Sequence, residues 1–279
     1  MRFLSYISNM TKNLDHLGLR SVADNYDLFF IDLWGVLHNG IKLYDDSTEV
    51  LDNLSKANKS FILLTNAPRP NKNVINFLKK IGLKKYFENV FTSGEAAYKH
   101  LVSELNKQKF FHIGPPRDFD LFKNIEKDNV LNIEDADYLL CTGLFDEHGN
   151  DLNFYKNLLS NHISKKMICT NPDLIVDRGE EREFCAGSVA KVFEELGGKV
   201  DYFGKPYPLV YTQSIEIKNK RVLCIGDNLN TDIRGANLQN FSSLLVLNGV
   251  HRNETNCGID KLFEKYNVTV NYTQSNLKW

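Results

Sequence analysis

Four stretches of this sequence place polar side chains that could bind metal or phosphate directly after runs of apolar residues. An unbroken apolar run is typical of a strand buried on both faces of a parallel sheet. Ligands of such sheets bind beyond the carboxyl ends of the strands, so these side chains would meet at one edge. The four stretches are 28–40 with Asp32, 61–66 ending in Thr65 and Asn66, 202–206 with Lys205, and 222–232 with Asp227 and Asp232.

Each of these side chains also has a simpler interpretation. Asp32 ends an apolar run, where a charge is costly unless a cation or hydrogen bonds meet it, but it could equally cap the next turn. Thr65 and Asn66 could start a turn, Lys205 could be a surface lysine, and Asp232 could lie at the positive end of a helix dipole. Their common position after apolar runs, in this order, favours one shared site.

The segments between these stretches predict two α/β units. In the first, strands at 28–32, 60–65 and 90–92 alternate with helices at 47–59 and 72–81. This order predicts a parallel sheet with right-handed crossovers. The second unit has about 100 residues, enough for its own core. Its predicted strands are 110–114, 136–142 and 167–170, and its predicted helices are 154–163 and 188–196.

After residue 201 the first unit resumes with a short strand that leads into Lys205. It continues with a helix near 207–216, a strand at 221–226, a helix from residue 231, an apolar run at 244–247 and a strand at 268–270. Residues 1–26 are predicted to form a helical lead-in.

In this order the four stretches resemble the motifs of the haloacid dehalogenase (HAD) superfamily of phosphoryl-transfer enzymes. The large insert between the second and third motifs, and the segment 185–206, are similar to subfamily IIA, the sugar-phosphatase-like branch. The resemblance implies a HAD-like Rossmannoid parallel-sheet core with an inserted α/β cap domain. It places the core at residues 1–92 and 202–279 and the cap at residues 93–201.

The resemblance implies a magnesium-dependent phosphatase that acts on a small phosphorylated metabolite. Asp32 would attack the phosphate and form an aspartyl-phosphate intermediate. Asp32, Asp227 and the backbone carbonyl of Trp34 would bind Mg2+, which prefers oxygen ligands, and Asp232 would orient metal-bound water.

The remaining site residues are also implied by the resemblance. The Thr65 hydroxyl and the Asn66 backbone N–H would bind the phosphate, and Lys205 would offset negative charge. Cap loops at 145–148 and 171–182 would select the substrate. The candidate substrate-binding residues in these loops are Phe145, Asn171, Asp173 and Arg178.

One position departs from the pattern of the resembled family. Phosphatases of that family carry an acidic residue two positions after the nucleophile, and here Trp34 occupies it. Indole has no acid–base proton to offer near neutral pH, and losing a general acid costs about 100- to 10,000-fold. Slow turnover of sugar phosphates is therefore expected, unless the leaving group is good or another acid such as His38 substitutes. His38 could instead be a flap residue that faces solvent.

Composition excludes some other classes of function. The formal net charge is −1, from 34 basic and 35 acidic residues, which argues against nucleic acid or anionic membrane as a partner. No apolar stretch reaches the roughly 18–20 residues of a membrane span, and residues 1–20 lack the apolar segment of a secretory signal. Five scattered cysteines without metal spacing fit reduced thiols. We therefore expect a cytoplasmic protein; the sequence leaves open whether it is a monomer or a homodimer.

Two further hypotheses remain at this stage. A non-catalytic or regulatory protein could bind a phosphorylated metabolite and keep the metal site, or an inert α/β scaffold could bind no metal. The acidic residues Asp227 and Asp232 argue against the scaffold, because a site without function has no need of a metal cage.

Overall fold

The computed structural model describes residues 11–178, 181–255 and 258–279, and of residue 178 only the backbone. The strands of these residues, in chain order, are β1 (Lys12–Asn13), β2 (Leu28–Ile31), β3 (Ser60–Thr65), β4 (Val90–Thr92), β5 (Phe110–Ile113), β6 (Tyr138–Cys141), β7 (Lys166–Cys169), β8 (Ile175–Arg178), β9 (Glu181–Phe184), β10 (Lys199–Tyr202), β11 (Val222–Gly226), β12 (Ser242–Val246) and β13 (Tyr272–Gln274). The α-helices are α1 (Arg20–Ala23), α2 (Asp45–Lys56), α3 (Asn71–Lys80), α4 (Ser93–Ser103), α5 (Leu152–Leu159), α6 (Ala186–Glu195), α7 (Pro208–Thr212), α8 (Arg234–Leu238) and α9 (Ile259–Tyr266). None of the helices in the described residues has the length and apolar character that crossing a membrane requires.

The larger sheet is parallel, as predicted, with the strand order β1-β13-β12-β11-β2-β3-β4. Its central strand β2 lies between β11 and β3, so that Phe30 pairs with Cys224 on one side and Ile62 on the other. Every residue of β2 is buried, because apolar clusters cover both faces of the sheet. The carboxyl ends of β11, β2 and β3 therefore lie side by side, and so do the residues that follow them.

The inserted α/β unit is built on a second parallel sheet with the order β10-β7-β6-β5. Its helices α5 and α6 pack on this sheet through an apolar cluster that includes Tyr155 and Phe193. The strand before Lys205 was predicted to belong to the larger sheet, which is wrong. This strand, β10, pairs with β7 and sets Tyr202 opposite Cys169, because that edge of the second sheet offers a parallel partner. An antiparallel hairpin of β8 and β9 connects β7 to α6.

Two predictions near the chain ends are wrong in the described residues. Lys12–Asn13 pairs with β13 as a strand, so the predicted helical lead-in contains only α1, and residues 1–10 lie outside the described residues. The last strand begins later than predicted, at Tyr272. The reason is that the Asn237 side chain holds the backbone of Thr269 through hydrogen bonds of 2.7 and 2.9 Å.

Candidate active site

Three aspartates meet at the carboxyl edge of the larger sheet. Asp32 directly follows β2, Asp227 directly follows β11, and Asp232 lies on the π-helical turn that comes next. One carboxylate oxygen from each lies within 4.8 Å of the others, and all three side chains are buried. The Asp32 N–H donates to the carbonyl of Ile225 at 2.9 Å, and the Asn228 N–H donates to Asp232 Oδ2 at 3.1 Å. Adjacent strand ends thus bring together residues that are 195 positions apart, from 32 to 227.

Lys205 places its ammonium group among these carboxylates. Its Nζ lies 2.5 Å from Asp32 Oδ1 and 2.7 Å from Asp232 Oδ1, and it donates to the Leu64 carbonyl at 2.9 Å. The Asn66 side chain holds the lysine backbone from the end of β3: the Lys205 N–H donates to Asn66 Oδ1 at 2.7 Å, and Asn66 Nδ2 donates to the Lys205 carbonyl at 3.0 Å. Thr65 lies at the end of the same strand and is buried. The side chain of Asn66 therefore positions Lys205, a role that sequence reasoning did not assign to it.

The charges of this cluster indicate what it could bind. Burial raises the pKa of Asp32 to about 8 although Lys205 opposes the change, and burial beside two other carboxylates raises the pKa of Asp227 well above its usual range. Burial by itself would lower the pKa of Lys205, but the nearby carboxylates of Asp232 and Asp32 outweigh this effect and raise it. The raised pKa values show that the cluster resists carrying three negative charges by itself; with all three carboxylates ionised, the one ammonium group would leave two excess negative charges. A divalent cation that prefers oxygen ligands, such as Mg2+, fits this donor set.

The loop after β12 is part of the site and was missed by sequence reasoning. The Val250 N–H donates to Asp227 Oδ2 at 2.7 Å and fixes this carboxylate. Two glycines leave room for Asp227. A Cβ atom added at Gly35 would lie 2.1 Å from Asp227 Oδ2, and one added at Gly249 would lie 2.1 Å from the Cβ of Asp227, so either side chain would collide with it. The polar and glycine residues that follow the apolar run 244–247 were the available signal.

Two neighbouring cavities open at this cluster. The smaller, of about 90 Å³, is lined by Asp32, Lys205 and other residues of the strand ends. The larger, of about 400 Å³, extends into the inserted unit. Of the predicted substrate-binding residues, Phe145, Asn171 and Asp173 line the larger cavity. The side chain of Arg178 lies outside the described residues.

Trp34 links the strand ends to the hairpin of β8 and β9. Its indole Nε1 donates to the carbonyl oxygen of Asp177 at 2.6 Å. The carboxylate of Asp177 is bound in turn by Arg182 at 2.7 Å and by Arg252, which follows the β12 loop, at 2.5 Å. Arg182 also donates to the Val250 carbonyl at 2.9 Å. Trp34 therefore anchors a hairpin of the inserted unit over the site.

His38 is buried, so the interpretation of a solvent-facing flap residue is wrong. Its ring packs against the rings of Trp34 and Phe77, with centroid distances of 5.2 and 5.3 Å, and its Nδ1 accepts from the Gly40 N–H at 2.9 Å. Burial lowers the pKa of His38 to about 4. The imidazole is therefore neutral near pH 7 and does not supply the missing acid.

We expect Trp34→Phe to loosen the hairpin, because phenylalanine keeps an aromatic ring but loses the N–H that binds the Asp177 carbonyl. A neutral hydrogen bond contributes about 0.5–1.5 kcal/mol, so the opening of the hairpin should increase up to roughly 10-fold. Hydrogen exchange of peptides from β8 and β9 measures this, with peptides from β12 as the internal control. Unchanged exchange in the hairpin would show that the indole does not anchor it.

We expect Asp227→Asn to weaken Mg2+ binding at least about 10-fold, because the amide keeps one oxygen but loses the charge. Titration calorimetry with MgCl2 measures the affinity. Asp135→Asn is the matched control, since Asp135 is exposed and lines neither cavity. Equal Mg2+ affinity in the two variants would exclude Asp227 as a ligand.

Comparison with known proteins adds independent information on this chain. A family model described as haloacid dehalogenase-like hydrolase matches residues 29–126, and one described as HAD-hydrolase-like matches residues 202–263. The two matched segments contain all the strand-end residues of the cluster. A hydrolase of the haloacid dehalogenase-like family from Brucella suis has a similar crystal structure: it is 30% identical, with a TM-score of 0.77, over 84% of this chain and 93% of that chain.

Two named phosphatases are also similar to this chain. A 4-nitrophenylphosphatase from Thermotoga maritima is 26% identical, with a TM-score of 0.69, over 92% of this chain and 96% of that chain. A 5'-nucleotidase from Bacillus subtilis is 25% identical over 236 residues, which are 82% of this chain and 90% of that protein.

Proposed function

Because this chain belongs to the haloacid dehalogenase-like hydrolase family, we propose that it is a Mg2+-dependent phosphatase of a small phosphorylated metabolite. The observation that carries the proposal is the cluster of Asp32, Asp227 and Asp232 within 4.8 Å, with Lys205 bound to two of them. Relatives whose names describe phosphoric monoester hydrolysis support it. The activity would proceed through an aspartyl phosphate on Asp32.

The residues of the cluster would divide the chemistry between them. Asp32 would attack the phosphorus atom, and Lys205 would offset the charge of the phosphate oxygens as the bond forms. The side chain of Asn66 would hold the backbone of Lys205 and so keep its ammonium group near Asp32. The hydroxyl of Thr65 would bind the phosphate. When bound by Asp32, Asp227 and Asp232, Mg2+ would neutralise the two excess negative charges and let the anionic phosphate approach.

The cavities support a small substrate. The smaller cavity, of about 90 Å³, contains the carboxylates and would take the phosphate. The larger one, of about 400 Å³, would take the rest of the molecule, and the ring of Phe145 would contact it. These volumes match a metabolite better than a macromolecule, because small-molecule sites occupy about 300–1,000 Å³.

An assay with 4-nitrophenyl phosphate tests the proposal. We expect release of nitrophenol with Mg2+ and none after the metal has been removed with EDTA, and we expect restored activity when Mg2+ is returned. A panel of metabolite phosphates would then identify the substrate. Equal activity with and without the metal, or no activity on any phosphate ester, would contradict the proposal.

A second candidate is a non-catalytic protein that binds a phosphorylated metabolite and responds to it. The observation that favours this alternative is Trp34, which stands at the position of the usual acid and whose indole N–H is bound to the Asp177 carbonyl at 2.6 Å. Calorimetry that shows Mg2+-dependent binding of a phosphate ester, without release of inorganic phosphate, would support it against the phosphatase.

A further inference from the structure

The proposed reaction leaves one chemical requirement unmet. Breaking the phosphate ester releases an alkoxide, which needs a proton, and neither Trp34 nor the neutral His38 supplies it. Resting on the proposed phosphatase function, we propose that Asp173, on the loop between β7 and β8, is the general acid of this enzyme. It would thus be a catalytic residue that comes from the inserted unit rather than from the strand after β2.

The position of Asp173 is the first argument. The leaving oxygen joins the phosphate to the rest of the substrate, so it must lie where the smaller and the larger cavity meet. Among the described residues, those that line both cavities are Trp34, Thr65, Asn66, Asp173 and Val176. Of these side chains, only the carboxyl group of Asp173 exchanges a proton near neutral pH. It is partly buried, which leaves a path for the proton to be replaced from water.

Side chains at the strand ends of the larger sheet hydrogen-bond to this carboxyl group. Asn228, next to Asp227, donates from Nδ2 to Asp173 Oδ1 at 3.4 Å, and the side chains of Thr231 and Asn66 also hydrogen-bond to it. The Asp173 N–H donates to Asn171 Oδ1 at 3.0 Å, which closes a turn. The neighbouring backbone is fixed as well, because the carbonyl of residue 174 accepts from the Cys185 N–H at 2.9 Å and the Ser188 hydroxyl at 2.6 Å.

The other acids near the site fit the role less well. Asp177 lines only the smaller cavity, and bonds from Arg182 and Arg252 outweigh burial and hold the pKa of its carboxyl group below the usual range. Asp118 lines only the larger cavity and is paired with Arg69 at 2.6 Å.

Tyr44 also lines the smaller cavity, so its phenol is a further candidate for the acid that later acts as the base. Burial raises the pKa of Tyr44, so its phenolate would be too scarce to act as the base that hydrolysis later requires. For Asp173, burial raises the pKa to about 6, with Lys205 opposing and Asp232 adding to the shift. Both protonation states are thus accessible near neutral pH, as an acid that later becomes a base requires.

The two half-reactions balance with Asp173 in this role. In the first, an oxygen of Asp32 bonds to phosphorus, and the bond between phosphorus and the ester oxygen breaks. Its electron pair stays on the ester oxygen, which takes the proton of Asp173 and leaves as an alcohol. In the second, water bonds to phosphorus while its proton moves to the Asp173 carboxylate. The phosphorus–Asp32 bond breaks, which releases phosphate and restores both aspartates to their starting states.

The variant Asp173→Asn distinguishes a general acid from a structural residue, because only the loss of an acid depends on whether the leaving group needs a proton. The test compares kcat/KM for glycerol 3-phosphate, whose alkoxide needs a proton, with that for 4-nitrophenyl phosphate, whose phenolate does not. We expect the variant to lose about 100-fold on the alkyl ester and only a few-fold on the aryl ester. Nitrophenol should also appear in a burst, because the variant lacks the base that hydrolyses the aspartyl phosphate.

Two further variants sharpen the test. Asp177→Asn changes a neighbouring acid and should shift kcat/KM for both esters by the same factor. Trp34→Asp added to Asp173→Asn returns a carboxyl group to the usual position and should recover at least about 10-fold on the alkyl ester.

Equal losses of Asp173→Asn on both esters, or no recovery in the double variant, would overturn the role of Asp173. The phosphatase proposal would survive either result, because it fails only if wild-type hydrolysis of the aryl ester does not need Mg2+ or Asp32.

Discussion

Asp32→Asn is expected to abolish Mg2+-dependent hydrolysis of 4-nitrophenyl phosphate, with a loss of at least about 1,000-fold in kcat. An amide is a poor nucleophile, and removing the attacking group of a covalent mechanism removes the step that all later steps require. The loss should be the same for alkyl and aryl esters, because both reactions begin with attack by Asp32. This sets it apart from the selective loss expected for Asp173→Asn.

The fold of the Asp32 variant should remain intact, because asparagine has nearly the same shape and Lys205 keeps its partner Asp232 at 2.7 Å. Circular dichroism and thermal unfolding, with Asp135→Asn as the control, verify this. Activity within 10-fold of the wild type in a folded Asp32→Asn protein would exclude Asp32 as the nucleophile.

Lys205→Met is expected to have the second largest effect, on both activity and stability. Without the ammonium group the buried carboxylates lose the cation bound directly to Asp32 and Asp232. Breaking a buried ion pair from one side costs about 3–5 kcal/mol, so the free energy of unfolding without metal should fall by that amount. Turnover should fall about 100- to 1,000-fold, as for other groups that stabilise transition-state charge.

The stability loss in Lys205→Met should grow as pH rises above about 6. Lys205 opposes the raised folded-state pKa of Asp173, about 6, and of Asp32, about 8, so both values rise further without it. Above pH 6 the folded variant therefore holds protons that the folded wild type and the unfolded chain have released, which destabilises it progressively. Urea unfolding at pH 5 and pH 8, with and without Mg2+, measures this, and Mg2+ should restore part of the loss. The control is Lys166→Met, which breaks only an exposed pair with Asp201 at 3.0 Å and should cost at most about 1 kcal/mol. A Lys205 variant as stable as this control at pH 8 would contradict the account.

The central site could be predicted because its residues follow buried strands. Apolar runs without alternation identify strands with both faces covered, and such strands are typical of parallel sheets. Once β2, β3 and β11 are recognised, the side chains after them necessarily share one edge, which brings Asp32, Thr65 and Asp227 together. The strand pattern thus accounts for the grouping of these side chains at one edge, whereas the chemical role of each was implied by the resemblance to the HAD superfamily.

Other parts of the site depend on contacts that no local pattern encodes. The pairing of β10 with β7 depended on which sheet edge was free, and the hydrogen bond of Trp34 to Asp177 joins residues 143 positions apart. The Val250 N–H is a backbone group, so its role at Asp227 leaves no mark on residue type. The burial of His38 likewise depends on Phe77, which a sequence reading of the flap alone does not bring near it.

The most direct test of this account is to trap the covalent intermediate. The enzyme is mixed with 4-nitrophenyl phosphate and Mg2+, quenched in acid during turnover and reduced with borohydride, which converts an aspartyl phosphate to homoserine. Peptide mass spectrometry then locates the converted residue. The account predicts homoserine at position 32, dependent on Mg2+ and more abundant in Asp173→Asn, whose intermediate breaks down slowly. Conversion at another residue, or continued turnover with residue 32 unmodified throughout, would contradict it.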